Sequence, residues 1–278
     1  MIRRAAHAPL TVSRSQLTTR RIASRIDLHS SIDSTNTAAF DAAAAGAPDG
    51  TVIAADSQRA GHGRRGRLWH SPPGRNLYLS ILLRPPLPSA VTAALPFLAA
   101  VAARDAIRDV TGLAAQTKWP NDLLIHERKI GGVLVKTRRQ GTRTLLAVVG
   151  IGLNVNWPRR AMPPPLQEIA SSLQTERGRL VSRSRLLAAL LNRFDDGYRR
   201  LCRDGSAALM AAWSRSCLTL QQLVLVSTAD GPLDGRAEAV DRAGRLTLRH
   251  GDGSISRVTV DDTLHLRPRR PAAQPPGA

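Results

Sequence analysis

The sequence predicts an α+β protein, a mixed β-sheet flanked by helices and followed by a small all-β barrel. Two observations lead there. Short apolar runs separated by turn residues alternate with helical stretches over most of the chain. From about Leu220 the pattern changes to short alternating runs broken by Asp-Gly, Ala-Gly and Asp-Gly at 230–231, 243–244 and 252–253.

In order along the chain, Ser34 is a plausible N-cap for a short Ala-rich helix that stops at about Gly46. A strand follows at 51–56, then a Gly/Arg-rich loop at 60–67, then the alternating strand Leu77-Tyr78-Leu79-Ser80-Ile81-Leu82-Leu83. Residues 92–110 read as a core helix ended by Gly112. Three strand-like runs come next, at 117–125, 130–137 and 144–156. The Pro-rich stretch 162–166 reads as a loop, and 182–201 as an amphipathic helix with Leu186, Leu187, Leu190, Leu191 and Phe194 on one side. The expected organisation is a basic, disordered arm at 1–26, a main domain at 27–219, a barrel of about five strands at 220–268 and a disordered tail at 269–278.

Composition narrows the function classes. A length of 278 residues with 42% hydrophobic content supports a sizeable core. The strongly apolar stretch 92–103 falls well short of the roughly 20 residues a membrane span needs. Two cysteines, Cys202 and Cys217, without a C-x-x-C or His-Cys cluster signal neither a disulfide framework nor a zinc site, and fit a reducing cytoplasm. The net charge of +19 invites a nucleic-acid reading. That reading predicts base-stacking aromatics beside the basic patches, yet only 3% of residues are aromatic. Only Lys118, Lys129 and Lys136 among the 40 basic residues are lysine, so a drift towards arginine explains most of the charge. Lysine within that short window then points to a chemical requirement, because ammonium and guanidinium are not interchangeable. The arm, with six arginines and no acid in 26 residues, has a transit-peptide composition, but it equally shares the chain-wide arginine bias.

Several segments could carry chemistry. Gly61-His62-Gly63-Arg64-Arg65-Gly66-Arg67 lets backbone N–H groups approach an anion while arginines grip carboxylate or phosphate; a solvated turn would use the same letters. Lys118-Trp119-Pro120-Asn121-Asp122 packs a cation, an indole, an amide and an acid together, which suits a nucleotide-binding turn; a plain strand-to-turn connection is the alternative. Lys129-Ile130-Gly131-Gly132-Val133 places a lysine at the entry of a strand with bare backbone beside it. Gly150-Ile151-Gly152-Leu153-Asn154 suggests another strand that a ligand approaches closely. Ser34-Thr35-Asn36 reads simply as a cap and first helical turn, and Gln58 is unremarkable by itself.

Together and in this order, S-T-N, Q-x-A-G-H-G-R-R-G-R-x-W, K-W-P-N-D-L, K-I-G-G-V and G-I-G-L-N-V-N resemble the catalytic domain of biotin-protein ligases. The resemblance runs from about Ile32 to Arg267, and its closing G-R-A-E-A-V-D-x-x-G-R-L-x-L segment is similar to the SH3-like barrel of that family. It implies a sheet of the class II aminoacyl-tRNA synthetase/biotin synthetase kind. It also implies a two-step reaction: biotin and ATP with Mg2+ give biotinyl-5'-AMP and pyrophosphate, and a lysine of a biotin carboxyl carrier protein or carboxylase biotinyl domain then takes the biotin. Carried over by position, Arg64, Lys129, Lys118 and Asp122 are catalytic. Ser34, Thr35, Asn36, Gln58, His62, Gly63, Arg64, Lys129, Gly131 and Gly132 bind biotin. Arg65, Arg67, Trp69, Lys118, Asn121 and Asn154 line the ATP and adenylate side, and no metal ligands are assigned.

His62 stands where some members of that family carry arginine, and Lys136 where many carry an acid. About 30 residues precede Ser34, too few for a helix-turn-helix module, so the form without a DNA-binding domain is expected, as a monomer or weak homodimer. A lipoate-protein ligase or octanoyl transferase of the same fold is the nearest alternative, and a nucleic-acid-binding protein the more distant one.

Overall fold

The computed structural model describes residues 9–85, 92–260 and 263–268. Seven strands form one sheet: β1 (Ile26–His29), β2 (Val52–Ala55), β3 (Leu77–Leu83), β4 (Gln116–Lys118), β5 (Asp122–Ile125), β6 (Arg128–Gln140) and β7 (Arg143–Leu153), in the order β1-β2-β3-β7-β6-β5-β4. Only β1 and β2 run parallel; every other neighbouring pair is antiparallel. The mixed sheet is thus the one the residue pattern predicts.

The sheet has helices on both faces, which explains its central strand. β3 is buried at all seven positions, so the expected inside-outside alternation becomes alternation between two covered faces. Leu77, Leu79, Ile81 and Leu83 join the main core with α2 (Leu95–Thr111) and α5 (Arg183–Asp204). Leu82 lies on the other face, where Ile53 and Val148 also sit, packed by α1 (Thr35–Ala44) through Ala39 and Ala43. Helix α2 starts with Pro96 in its first turn, where no N–H is needed, and ends on Gly112 in the left-handed region at φ 80°. Helix α5 is capped by Ser182, whose side chain accepts from the Arg185 N–H at 3.3 Å, and buries the predicted leucine stripe.

Four expectations need correction. The run 117–125 is not one strand but the β4–β5 pair with Trp119-Pro120-Asn121 between, because proline has no N–H for a ladder. The Pro-rich loop is shorter than expected, since α3 (Pro164–Ile169) uses its prolines at N-terminal positions that tolerate them. Helix α6 (Ala207–Ser214), after the short α4 (Leu173–Arg177), was not anticipated: A-A-L-M-A-A-W-S is apolar nearly all round and shows no helical stripe.

The fourth concerns the arm. Residues 9–25 are ordered against α5: Leu10 and Ile22 are buried, Thr18 N–H donates to Asn192 Oδ1, and Asp195 accepts from three successive N–H groups. Arg20, Arg21 and Ile22 reach that carboxylate at 3.1, 2.8 and 2.8 Å, with Arg199 Nε adding a fourth bond at 3.1 Å. An acid inside a helix therefore takes up donors that would otherwise be orphaned. The positions expected to be disordered at 1–8 and 269–278 lie outside the described residues.

The C-terminal unit is a five-stranded antiparallel sheet, β8 (Leu223–Thr228), β9 (Gly231–Val240), β10 (Leu246–Arg249), β11 (Ile255–Val258) and β12 (Thr263–Pro268), ordered β11-β10-β9-β8-β12. It is consistent with the SH3-like module the resemblance implies. Its three Gly turns carry positive φ, 121°, 82° and 85° at Gly231, Gly244 and Gly253. The Gly244 turn meets the main sheet, where its carbonyl accepts from Trp119 Nε1 at 3.1 Å.

Candidate active site

Register brings the motifs together. Lys118 pairs with Asp122, Asp122 with Gly132, Gly132 with Gly152, and Gly152 with Tyr78, so one row crosses β4, β5, β6, β7 and β3. Directly paired residues share a face, and the next row on that face holds Gly150 and Ser80. Glycines at 132, 150 and 152 strip the middle of this face to backbone, leaving a trough beside α1.

Three side chains lie over that trough. A Cβ at Gly152 would sit 2.7 Å from the Trp69 indole, one at Gly150 would collide with Asn36 Oδ1, and one at Gly132 would sit 3.5 Å from Lys129 Cε. Each glycine is thus the seat of a particular side chain. The Lys129 ammonium bonds Asp122 Oδ1 at 2.6 Å and lies 5.5 Å from the centre of the Trp69 ring, a cation–π distance. Trp69 Nε1 is buried with no hydrogen-bond partner. Buried donors are nearly always satisfied, so this one marks a place where an acceptor belongs.

Beside them runs a polar chain. Thr35 donates through both N–H and hydroxyl to Gln58 Oε1, at 2.9 and 3.2 Å. Gln58 Nε2 donates to Ser71 Oγ at 3.0 Å, and Ser71 donates to the Trp69 carbonyl at 3.0 Å. Ser80, wholly buried, has one proton within reach of Asn36 Oδ1 at 2.6 Å and Thr35 Oγ1 at 2.9 Å; the shorter contact is the better bond. Gly61 closes this corner, since a Cβ there would lie 2.8 Å from Gln58 Nε2 and 2.9 Å from Ser71 Oγ. Tyr78 stands at the end of the glycine row, its phenol pKa raised by burial, so it remains a proton donor.

The structure sorts the predicted residues. Lys129, Asp122, Gly132 and Trp69 meet in the trough, with Thr35, Asn36 and Gln58 at its α1 end and Lys118 half-buried opposite Asp122. Ser34 spends its hydroxyl capping α1, accepting from Thr37 N–H at 3.5 Å. Gly131 faces the opposite side, where a Cβ would strike Leu153 at 2.5 Å, so it serves packing. Asn121 closes its own turn, donating to the Val133 carbonyl at 2.6 Å while its carbonyl accepts from Val133 N–H. Asn154 Nδ2 donates to the Ser171 carbonyl at 3.0 Å, which ties a strand end to the following strap. His62 donates from Nδ1 to the Ala60 carbonyl at 2.6 Å, which leaves Nε2 as its acceptor.

The arginine loop departs most from expectation. Gly63 opens a 3-10 turn, Arg64–Gly66, in which Arg65 is left-handed at φ 54°, and both Arg65 and Arg67 are exposed. Arg64 Nη2 donates to the carbonyl of Val260 in the C-terminal unit. That bond ties the arginine loop to the C-terminal unit, a use of the guanidinium the sequence did not suggest.

Sequence reasoning did not select Ser71, Ser80 or Tyr78. Ser80 did carry a signal, being the single hydroxyl without an aromatic body in an otherwise apolar strand, and a buried polar group is the informative exception.

Comparison with known proteins places the fold and the trough in the biotin and lipoate ligase class. The model of the Biotin/lipoate A/B protein ligase family matches residues 28–154. The bifunctional ligase/repressor BirA of Bacillus subtilis is 33% identical over 236 residues, 85% of this chain and 73% of that protein. The biotin--[acetyl-CoA-carboxylase] ligase of Paracoccus denitrificans is 33% identical over 220 residues, 78% of this chain and 91% of that protein. Among solved structures, the Aquifex aeolicus biotin protein ligase in complex with biotin and ATP superposes with a TM-score of 0.75 at 25% identity, covering 88% of this chain and all of that one. This chain belongs to the biotin-protein ligase family.

Proposed function

We propose that the chain is an ATP-dependent biotin-protein ligase. Biotin carboxylate attacks the α-phosphate of ATP, pyrophosphate leaves, and a lysine amine of a carrier domain then attacks the acyl carbon of biotinyl-5'-AMP to form the amide and release AMP. The observation that carries this reading is the glycine-lined trough in which the Lys129 ammonium, the Asp122 carboxylate and the unpartnered Trp69 N–H lie together.

Two anions must approach each other for the first step, and their repulsion is the barrier that a fixed cation lowers. Lys129 is that cation. At rest it is held by Asp122, and a substrate carboxylate or phosphate entering the trough competes for the same ammonium. Bare backbone at Gly132 and Gly152 lets Lys129 and Trp69 lie close to the sheet, so the cation and the indole are held in place before substrate arrives, and position supplies part of the rate. Thr35, Asn36 and Gln58 bind biotin at the α1 end, and His62, Gly63 and Arg64 come from the loop above. Arg64 exchanges its Val260 acceptor for the substrate anion as the loop closes. Lys118, Trp69, Arg65 and Arg67 serve the nucleotide side.

Among the described residues no group of three His, Cys, Asp or Glu side chains gathers as a metal centre. In this proposal Mg2+ enters with the nucleotide substrate, whose phosphates supply its oxygens, with Asp122 as the carboxylate at hand. Asp122 also accepts the proton of the incoming lysine in the second step. The acceptor is a carboxylase biotinyl domain, and acidic groups on it suit a chain of net charge +19. A cytoplasmic site of action is part of the proposal, supported by two unpaired cysteines. No helix among the described residues is long and apolar enough to cross a membrane.

The test is incubation of the chain with ATP, Mg2+, labelled biotin and a biotinyl domain, in parallel with lipoate and octanoate. Label should appear on one lysine of the biotinyl domain and depend on ATP. Transfer of lipoate or octanoate in place of biotin would assign the trough to the other branch of the fold.

A further inference from the structure

The strand that carries Lys129 is irregular at the point that matters. In plain alternation Lys129 and Gly132, three positions apart, would face opposite sides of the sheet. The β5–β6 register instead skips Ile130: Leu123 pairs with Gly131 and Leu124 with Lys129. This bulge turns Lys129 to the trough face, where its ammonium reaches Asp122.

The grip on the bulge comes from outside the sheet. The Lys129 carbonyl accepts from Ser171 N–H at 2.9 Å, and Ala170 forms a parallel bridge with Lys129. Ser171 is wholly buried; its carbonyl accepts from Asn154, and its hydroxyl donates to Glu176 Oε1. The other oxygen of that carboxylate accepts from His126 Nδ1 at 2.7 Å. His126 is the first residue of the two-residue turn joining β5 to β6, and both turn residues are left-handed, φ 46° at His126 and 61° at Glu127. Neither is the Gly or Asn that such a turn favours, so it benefits from an external hold. Glu176 itself is nearly covered, its side chain 8% exposed.

We propose that Glu176 is a positioning residue for Lys129. One carboxylate grips the turn before the bulge through His126 and the strap beside it through Ser171, and so sets the direction of the ammonium. The inference rests on the ligase reading for its kinetic consequence, but not for its geometry.

Two readouts test it on the full chain. In biotin-dependent pyrophosphate exchange, Glu176→Ala should lower kcat about tenfold while KM for biotin and ATP changes less than about threefold, since a misdirected cation costs rate more than binding. Glu176→Gln should recover most of the rate, because its amide oxygen still accepts from Ser171 and its NH2 can donate to the imidazole. Independently, trace acetylation reads the three lysines by mass spectrometry. Relative to Lys118 and Lys136, Lys129 should become several-fold more reactive in Glu176→Ala as it leaves Asp122. Where Glu176→Ala does not fold, His126→Ala at the exposed turn replaces it, with the same shift in Lys129 labelling expected. An unchanged labelling ratio in the folded variant overturns the proposal, as does a Glu176→Gln variant as slow as Glu176→Ala. A wild-type chain that exchanges no pyrophosphate counts against the ligase reading alone, because the labelling arm still decides the role of Glu176.

Discussion

Removing the Lys129 ammonium separates catalysis from stability more cleanly than any other change in the trough. Its ion pair with Asp122 is short, 2.6 Å, but the two side chains keep 36% and 28% of their exposure, so water and salt screen it. Partly solvated pairs contribute up to about 1 kcal/mol, and at roughly 2–4 °C per kcal/mol for a chain of this size the melting temperature of Lys129→Ala should fall by only a few degrees. The reaction should suffer far more. Loss of one preorganised charge-stabilising group costs about 2.7–4 kcal/mol, or 10²–10³ in kcat. Lys129→Arg should stand between, down about tenfold: it keeps the charge, but a planar guanidinium has to fit where a compact ammonium lies 3.6 Å from the Cβ position of Gly132. The assay is biotin-dependent exchange of labelled pyrophosphate into ATP, with thermal unfolding on the same preparations. If Lys129→Ala exchanges within threefold of wild type, the cation in the trough is not the one that meets the reacting anions, and the site is misplaced.

Other changes probe other parts of the structure. Arg64→Ala should lower pyrophosphate exchange by about 10²-fold, like loss of any charge-stabilising donor; near-normal exchange with a lowered melting temperature would instead make Arg64 a strut to Val260. Gly152→Ala should displace Trp69, whose indole lies 2.7 Å from the added carbon, and raise KM for ATP by at least tenfold in steady-state kinetics; an unchanged KM would remove Trp69 from the nucleotide side. Asp195→Ala leaves the N–H groups of Arg20, Arg21 and Ile22 without their acceptor, one of them in a buried setting, and should cost about 3 kcal/mol. Thermal unfolding and trypsin cleavage after Arg20 or Arg21 would read this, and an unchanged melting temperature would contradict the role given to the carboxylate.

The glycine motifs were legible because each local pattern has few uses, yet their meaning lay in register. Gly132 and Gly152 are 20 positions apart, and only the β6–β7 pairing makes them neighbours across which a ligand could lie. Asn121 and Asn154 show what the motifs left out. Both sit in strong motifs, and both spend their amides on main-chain carbonyls, since a turn and a strand end have donors and acceptors to satisfy before any ligand does. The order of residues 9–25 was hidden for a different reason. Six arginines and no acid in the first 26 residues look like a solvated arm until Asp195, on a helix more than 170 positions away, supplies the acceptor for three of its main-chain N–H groups.

The choice of lysine was the one compositional clue that pointed at chemistry, and the structure gives it a geometric basis. Lys118 shares a face with Asp122, the bulge at Ile130 brings Lys129 to that face, and Lys136 pairs with Val148 in the rows that α1 covers on the same side. All three lysines of a chain rich in arginine therefore lie on the ligand face of a single sheet. Drift towards arginine would have replaced them wherever a surface charge sufficed. Lys129 is held instead between a carboxylate, an indole face and a bare backbone, where a point charge with rotatable donors fits and a rigid fork does not. Lys136 is exposed and has no such surroundings, so the same argument gives no reason for its being lysine. The clue thus carries weight where packing constrains the cation, and only there.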